Sequence, residues 1–302
     1  MNTRTPKLMT MEDAAELIPD GTTIGIGGFI TTNKPCALVR RLTKLRRKHL
    51  TVVAAPSGPE VDLMLAHGMI DRLITPYCGA EALAPVLPFF QKWAGRRFQV
   101  DEVDNGTLIA MLKAQIQRVP FLPVSVIGTS IPDLNPQVDV IPSPSGGPPI
   151  AVVRPMEIDV AILHATRADR WGNVQHFGPL FIDHLFAQAA KTVIVTVERL
   201  VPNATIRGNS LLTTLPSAFV DVIVEAPYGA HPGGSHNFYR LDTERLRLFV
   251  EGAKAYLAGD THLWTDYVAR FIDGPATHGE YCEMVGMSNM FKLSLERLDE
   301  ES

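Results

Sequence analysis

The chain has 302 residues, 46% of them hydrophobic and 20% charged, with a formal net charge of -4. That is the make-up of a globular protein with enough apolar material for one large or two ordinary domains. The slightly acidic balance gives no electrostatic footing for nucleic acid, and no apolar run approaches the roughly 18 residues of a membrane span.

Thr10-Met-Glu-Asp13 is a capping pattern that opens a short helix reaching Ile18, stopped by Pro19. The polar start before it, residues 1–7, does not read as a signal peptide. Next comes Asp20-Gly-Thr-Thr-Ile-Gly-Ile-Gly-Gly-Phe29, continuing as Ile30-Thr-Thr-Asn-Lys-Pro35. A polar turn feeds a β-rich run, the run ends in adjacent glycines, and helical spacing follows over 35–49. Glycines at such a turn let backbone N–H groups reach a ligand with no Cβ in the way, and a helix N-terminus favours negative charge. The stretch therefore suits a phosphate, a carboxylate or an oxyanion, although glycines at strand-to-helix turns also serve packing alone. Gly25-Ile-Gly27-Gly28 lacks the third glycine of a dinucleotide fingerprint, and no G-x-x-x-x-G-K-[ST] occurs. In the helix, Ala37, Leu38, Leu42 and Leu45 make an apolar face. Arg40, Arg41, Lys44, Arg46, Arg47 and Lys48 read as a solvated cationic face, with an anionic ligand tail as the alternative.

A second strand is expected over 50–55, ending in Pro56-Ser-Gly-Pro59, with a helix over 61–68. A third strand, 72–75, runs into Tyr77-Cys-Gly-Ala-Glu81. Helix is expected over 88–94, extended chain over 98–103, a turn at Asn105-Gly106 and a helix over 107–118. Strands alternating with helices imply parallel βαβ units in a doubly wound α/β sheet. Ligands in such sheets sit beyond the carboxyl ends of the strands, which places 27–32, 57–60, 78–81 and 102–106 on one rim. Residues 133–149, rich in Pro, Ser and Gly, read as a long loop. Buried-strand runs resume at 151–153, 160–163 and 191–197, with a polar turn at 168–173, and 219–224 is the last strong strand. Helical segments follow from Asp242 to Ala269, and 289–298 also reads as helical.

Cys36, Cys78 and Cys282 lack C-x-x-C spacing, which argues against a disulfide framework or zinc ribbon and fits a reducing cytoplasm. His231 and His236 have the wrong spacing for one helical face and no acidic neighbour, so no metal site is expected there. His278-Gly-Glu-Tyr-Cys282 would share one side of an extended strand and reads as structural or exposed. No G-x-S-x-G elbow offers a serine nucleophile. Cys78 lies on the rim, but nothing near it in sequence would lower its pKa, and packing is its expected role. Glu81 and Glu102, also on the rim, are the candidate nucleophiles or general bases if held in a partly dry pocket, with helix capping as the alternative for each.

Asp20-Gly21, the aliphatic run, Gly27-Gly28-Phe29 and Pro35 together resemble the signature of the α subunits of family I coenzyme A transferases. Pro120-Phe-Leu-Pro123, Ile158-Asp-Val-Ala-Ile-Leu-His-Ala165 with Gly172-Asn173, Ala189-Ala-Lys-Thr-Val-Ile-Val195 and Ala226-Pro-Tyr-Gly-Ala-His-Pro232 extend the resemblance, in particular to the glutaconate type. The ring-opening hydrolase subunits of steroid degradation are related to the same group. The resemblance implies a three-layer, open, mostly parallel α/β sheet of the type shared by CoA transferases, glucosamine-phosphate deaminases and ribose-phosphate isomerases. That domain would cover 8–240, with a C-terminal helical extension, 241–302, packed on it. It further implies a heteromeric enzyme moving CoA between a dicarboxylic or branched acyl-CoA and a carboxylic acid, with the coenzyme A thioester as substrate and no permanently bound cofactor.

The implied nucleophile is a glutamate of the β subunit, and this chain supplies the opposite wall. Gly27, Gly28 and Phe29 would form the oxyanion and thioester loop, with the N–H groups around Gly28 and Phe29 as donors. Thr31, Asn33, Lys34, Ser57, Gly79, Ala80, Asn105, Gly106 and Asn173 would surround the substrate and CoA. Glu81 stands where the glutaconate type carries a small hydroxyl residue, and a second carboxylate there would repel a dicarboxylate, which turns the expectation away from glutaconate itself. The alternative is a hydrolase or decarboxylase subunit on the same scaffold with Glu81 or Glu102 as base. A non-catalytic ligand-sensing domain is the remote one.

Overall fold

The computed structural model describes residues 5–295. In chain order the first half runs α1 (Met11–Glu16), β1 (Thr23–Ile26), α2 (Cys36–Lys44), β2 (Leu50–Ala54), α3 (Pro59–Ala66), β3 (Ile70–Thr75), α4 (Pro88–Trp93), β4 (Gln99–Glu102) and α5 (Asn105–Gln117). It continues with β5 (Leu122–Val124), α6 (Ile131–Leu134), β6 (Val138–Ile141), β7 (Ile150–Val153), β8 (Ile158–Ala168), β9 (Val174–Gln175), α7 (Asp183–Ala189) and β10 (Ala190–Leu200). The last part is α8 (Asn203–Gly208), β11 (Val222–Glu225), α9 (Thr243–Leu257), α10 (His262–Val268), α11 (His278–Val285) and α12 (Met287–Leu293).

The main sheet has the order β11-β10-β8-β1-β2-β3-β4, and every neighbouring pair in it is parallel. Only the short β9 joins β8 antiparallel. Apolar side chains fill both faces of the central strands, as a sheet covered by helices on both sides requires. One core cluster joins Ile24, Ile26 and Val52 to α1–α4 and α9–α11; the other joins Val53, Ala161, Leu163 and Val195 to α5 and α7. These are the three layers. The C-terminal helices share the first core directly: Trp264 meets Phe89 edge to face at 4.8 Å, and Phe249 meets Trp264 at 5.4 Å.

The Thr10 cap forms as the sequence indicates, its hydroxyl accepting from the Asp13 N–H at 3.1 Å. The second helix is shorter than its periodicity suggests, because Arg46 and His49 turn into the left-handed region at φ +53° and +59°. The segment 133–149 is not one loop. Val138-Asp-Val-Ile141 alternates as a strand should and pairs antiparallel with β7 in a small sheet, β5-β7-β6. Only the Pro/Ser/Gly-rich 142–149 connects them. The last strand starts at Val222, since residues 217–219 form a 3-10 turn. The helix expected over 289–298 is α12, which starts earlier and ends at Leu293, and residues 296–298 lie outside the described residues.

Candidate active site

At the carboxyl end of β1 the chain turns sharply. The Gly27 N–H donates to Ile162 O at 3.0 Å, the Gly28 N–H donates to Asp183 Oδ1 at 2.8 Å, and Phe29 and Thr32 exchange two backbone hydrogen bonds of 2.8 Å. Ile30 and Thr31 form the tip. Ile30 is held at φ +50°, a conformation unusual for a β-branched residue and the kind of strain found at binding turns. Space dictates the glycines: a Cβ on Gly27 would lie 2.5 Å from Leu163 Cδ2 and 2.8 Å from Asp183 Oδ1, and one on Gly28 would lie 2.4 Å from Asn33 O. This corrects the expected donors. The N–H groups of Gly28 and Phe29 are both spent inside the chain, because a tight hairpin uses its outer residues to close itself. Among the described residues, the N–H groups of Ile30 and Thr31 have no intrachain acceptor.

Three rim loops lock together beneath this tip. Lys34, 1% exposed, donates from Nζ to Pro56 O at 2.7 Å and pairs with Glu60 Oε1 at 3.2 Å. Gly58 approaches so closely that a Cβ would sit 1.9 Å from Ile30 O. Ser57 accepts from the Gly79 N–H and donates its own N–H to Tyr77 O, while its hydroxyl binds Thr75. From the other side, Asn33 donates to Gly234 O, Gly234 donates to Thr31 O, and the His236 N–H reaches Asn33 Oδ1. A cavity of about 30 Å³, room for water but not for substrate, lies between Thr31, Lys34, Cys36, Glu60 and Tyr267. Burial pushes the Cys36 thiol up to about 12 and raises Cys78 well above its ordinary range, so neither is an activated nucleophile.

The expected ligand residues separate into three groups. Thr31, Asn33, Lys34, Ser57, Gly79 and Ala80 are brought together, but they are buried and their polar groups hold the loops, with the Thr31 N–H left open. Glu102, Asn105 and Gly106 lie at β4, three strands from β1, about 14 Å across the sheet at the usual strand spacing. Asn173 is pinned at both ends of its amide, donating to Asp169 Oδ2 and accepting from the Ser217 N–H. Glu81 and Glu102 are exposed; among the described residues neither sits in the partly dry pocket that a nucleophile or base would need. Asn105 and Gly106 begin α5 instead of preceding it, capped by Asp104.

Several buried polar residues at the site have no local sequence signal. Arg40, expected on a solvated face, is buried, donates to His231 O at 2.6 Å and lies 3.5 Å over the Tyr281 ring. His231 does have an acidic partner, Asp242 Oδ2 at 3.0 Å, and its other ring nitrogen meets Tyr281 Oη at 2.6 Å. His278 and Cys282 sit on the helix α11, not on a strand. His164 is paired with Glu198 at 2.6 Å, and Asp183 reaches the glycine turn from 155 positions away in sequence. Each partner is remote along the chain, so only folding reveals the pair.

The arrangement has counterparts. The α chain of glutaconate CoA-transferase from Acidaminococcus fermentans is 28% identical over 96% of this chain and 95% of that relative. The crystal structure of that transferase superposes with a TM-score of 0.89 over 95% of each chain. A cholesterol ring-cleaving hydrolase IpdA subunit of Mycobacterium tuberculosis is 31% identical over 91% of this chain and 95% of the relative. The decarboxylase AibA/AibB, solved as a cysteine-to-serine variant, matches at 28% identity with a TM-score of 0.76, covering 87% of this chain and 98% of that one. An uncharacterized protein of Archaeoglobus fulgidus, 28% identical over 97% of this chain, is longer, and the chain spans 65% of its length. The family model described as coenzyme A transferase matches residues 8–226, which take in the glycine turn, the rim loops beneath it and all eight strands of the main sheet, and the chain belongs to that family.

Proposed function

We propose that this chain is the α subunit of a heteromeric acyl-CoA transferase, in which a β subunit carries the nucleophilic glutamate and this chain supplies the wall against which the thioester is attacked. The observation that carries the reading is the Ile30-Thr31 tip, which holds two uncommitted N–H donors at the carboxyl rim of the sheet beside a Phe29 ring 40% exposed. The partner's glutamate would attack the acyl-CoA carbonyl, breaking the C–S bond to give a mixed anhydride and CoA thiolate. The thiolate then attacks the anhydride, leaving glutamyl-CoA and the free acid, and an incoming carboxylate completes the exchange. The Ile30 and Thr31 N–H groups would hold the oxyanion formed at each addition, where one such donor is worth about 3 kcal/mol. Exposed apolar side chains support a partner here: Phe29 and Val86, 43% exposed, lie in the loops that follow β1 and β3. With Glu81 on a neighbouring rim loop, a branched acyl group suits the site better than a second carboxylate.

The test is to combine the chain with its partner subunit, then follow isotopically labelled CoA between acyl-CoA and free acid by mass. Exchange that requires an acceptor acid supports transfer. The similarity to a ring-cleaving hydrolase favours a second reading, hydrolysis or decarboxylation with Glu81 as base once the partner subunit covers it. Cleavage without any acceptor acid, abolished by Glu81→Gln, would select it and reject transfer.

A further inference from the structure

Directly behind the glycine turn, α7 delivers the carboxyl group of Asp183. It is 1% exposed, and among the described residues its one hydrogen-bond donor is the Gly28 N–H at 2.8 Å from Oδ1. The other oxygen, Oδ2, faces His176 Nε2 at 3.7 Å, and that buried ring nitrogen has no hydrogen-bond partner. The opposite side of the ring assigns the tautomer. Nδ1 lies 2.7 Å from Thr214 Oγ1, and with that hydroxyl donating to Val174 O at 3.2 Å it accepts from the ring. With its proton on Nδ1, His176 presents a lone pair to Asp183. Two facing lone pairs in a dry site repel, and a proton on Oδ2 removes the conflict.

We propose that Asp183 is a positioning residue that works as a neutral carboxylic acid, its Oδ1 accepting from the Gly28 N–H and its Oδ2 proton directed at His176 Nε2. The turn is thereby held from behind without a negative charge at the back of a loop whose front receives an anion. The inference rests on the geometry of this chain alone, so its failure would leave the proposed activity standing, and the reverse. The surroundings favour the neutral form. Lys34 attracts the carboxyl but is itself neutralised by Glu60 at 3.2 Å. On the His176 side stand the His164 carbonyl and the His164–Glu198 pair, and His184, next along α7, faces Lys113 of α5. Burial raises Asp183 to about 7 and, with repulsion from His164, lowers His176 to about 3. An ionised Asp183 would be a fully buried carboxylate with one hydrogen bond, an arrangement that proteins avoid.

Asp183→Asn reproduces the neutral acid atom for atom, a carbonyl toward Gly28 and an N–H toward His176. The full-length chain and this variant would be unfolded in urea from pH 4 to pH 8. A neutral Asp183 holds a proton that the unfolded chain releases above about pH 4, so its stabilisation is complete at acid pH and is lost as pH rises through about 7. The wild type should gain on the variant as pH falls from 7 to 4, the ratio of their unfolding constants moving roughly tenfold per pH unit and levelling off above 7. A ratio that stays flat across this range overturns the proposal. Nitrogen-15 spectra of the histidine-labelled wild type supply a measurement that needs no variant. A His176 ring neutral and protonated on Nδ1 at pH 5 is the expected result, and a ring protonated on Nε2, or charged, contradicts it.

Discussion

Gly27 and Lys34 show how little freedom the turn leaves to single residues. Gly27→Ala would press a methyl group into Leu163 and the Asp183 carboxyl, an overpacking that costs about 1–3 kcal/mol. Urea unfolding should show that loss together with a fall in activity, and an alanine variant of full stability would contradict the packing. Lys34 and Glu60 neutralise each other in a dry place, with Glu60 Oε2 already short of a partner. Lys34→Met strands the carboxylate and should cost about 3–5 kcal/mol. Adding Glu60→Gln should recover much of it, because the amide oxygen still accepts from the Gly58 N–H, which Glu60 binds at 3.0 Å. If the double variant is no more stable than Lys34→Met, the two residues are not energetically a pair.

The C-terminal helices reach the turn through one polar junction. Asp242 caps α9 by accepting from the Arg245 N–H at 2.9 Å and binds His231, which binds Tyr281 of α11, while the loop carrying His231 hydrogen-bonds to Thr31 and Asn33. Tyr281→Phe keeps the ring under Arg40 but removes the hydroxyl from His231. The expected loss is about 1–2 kcal/mol, with faster amide exchange in α11; unchanged exchange would show that the junction does not tie the helix down. The main sheet is legible in the sequence because each buried strand is a short apolar run between turn residues, as at 50–54 and 222–225, and because the glycine turn stands between a strand and a helix. The excursion over 133–149 reads as a loop because its composition is dominated by 142–149, which hides the alternation of Val138 and Val140. Arg40 reads as solvated because periodicity counts a charge as exposed, whereas here a carbonyl and an aromatic ring from distant segments enclose it. The proposed donors lie two residues later than the sequence indicates, since motif spacing locates the turn but not which N–H groups close it.

For the whole molecule, burial of neutral histidines sets the response to acid. His176 and His278 are held down to about 3, and burial also lowers His67 and His231. All four stay uncharged in the fold at pH values where the unfolded chain protonates them, so the stability they give is present above about 6.5 and is lost as pH falls, each by up to about 1.4 kcal/mol per pH unit. Asp62 and Asp183, raised by burial to about 7, act oppositely by taking up protons in the fold. The two aspartates offset His176 and His278, so the net loss is that of His67 and His231, with His184, also lowered by burial, adding to it. The urea midpoint should therefore fall between pH 6.5 and pH 4, and a rising midpoint would mean that the histidines are not buried neutral.

The division of labour between the two subunits can be tested by finding where the covalent intermediate forms. The assembled enzyme would be incubated with acyl-CoA, trapped with hydroxylamine, and each subunit mapped by mass spectrometry. The expected result is a hydroxamate on one glutamate of the β subunit, with none on this chain. A modified Glu81 or Glu102 would contradict it.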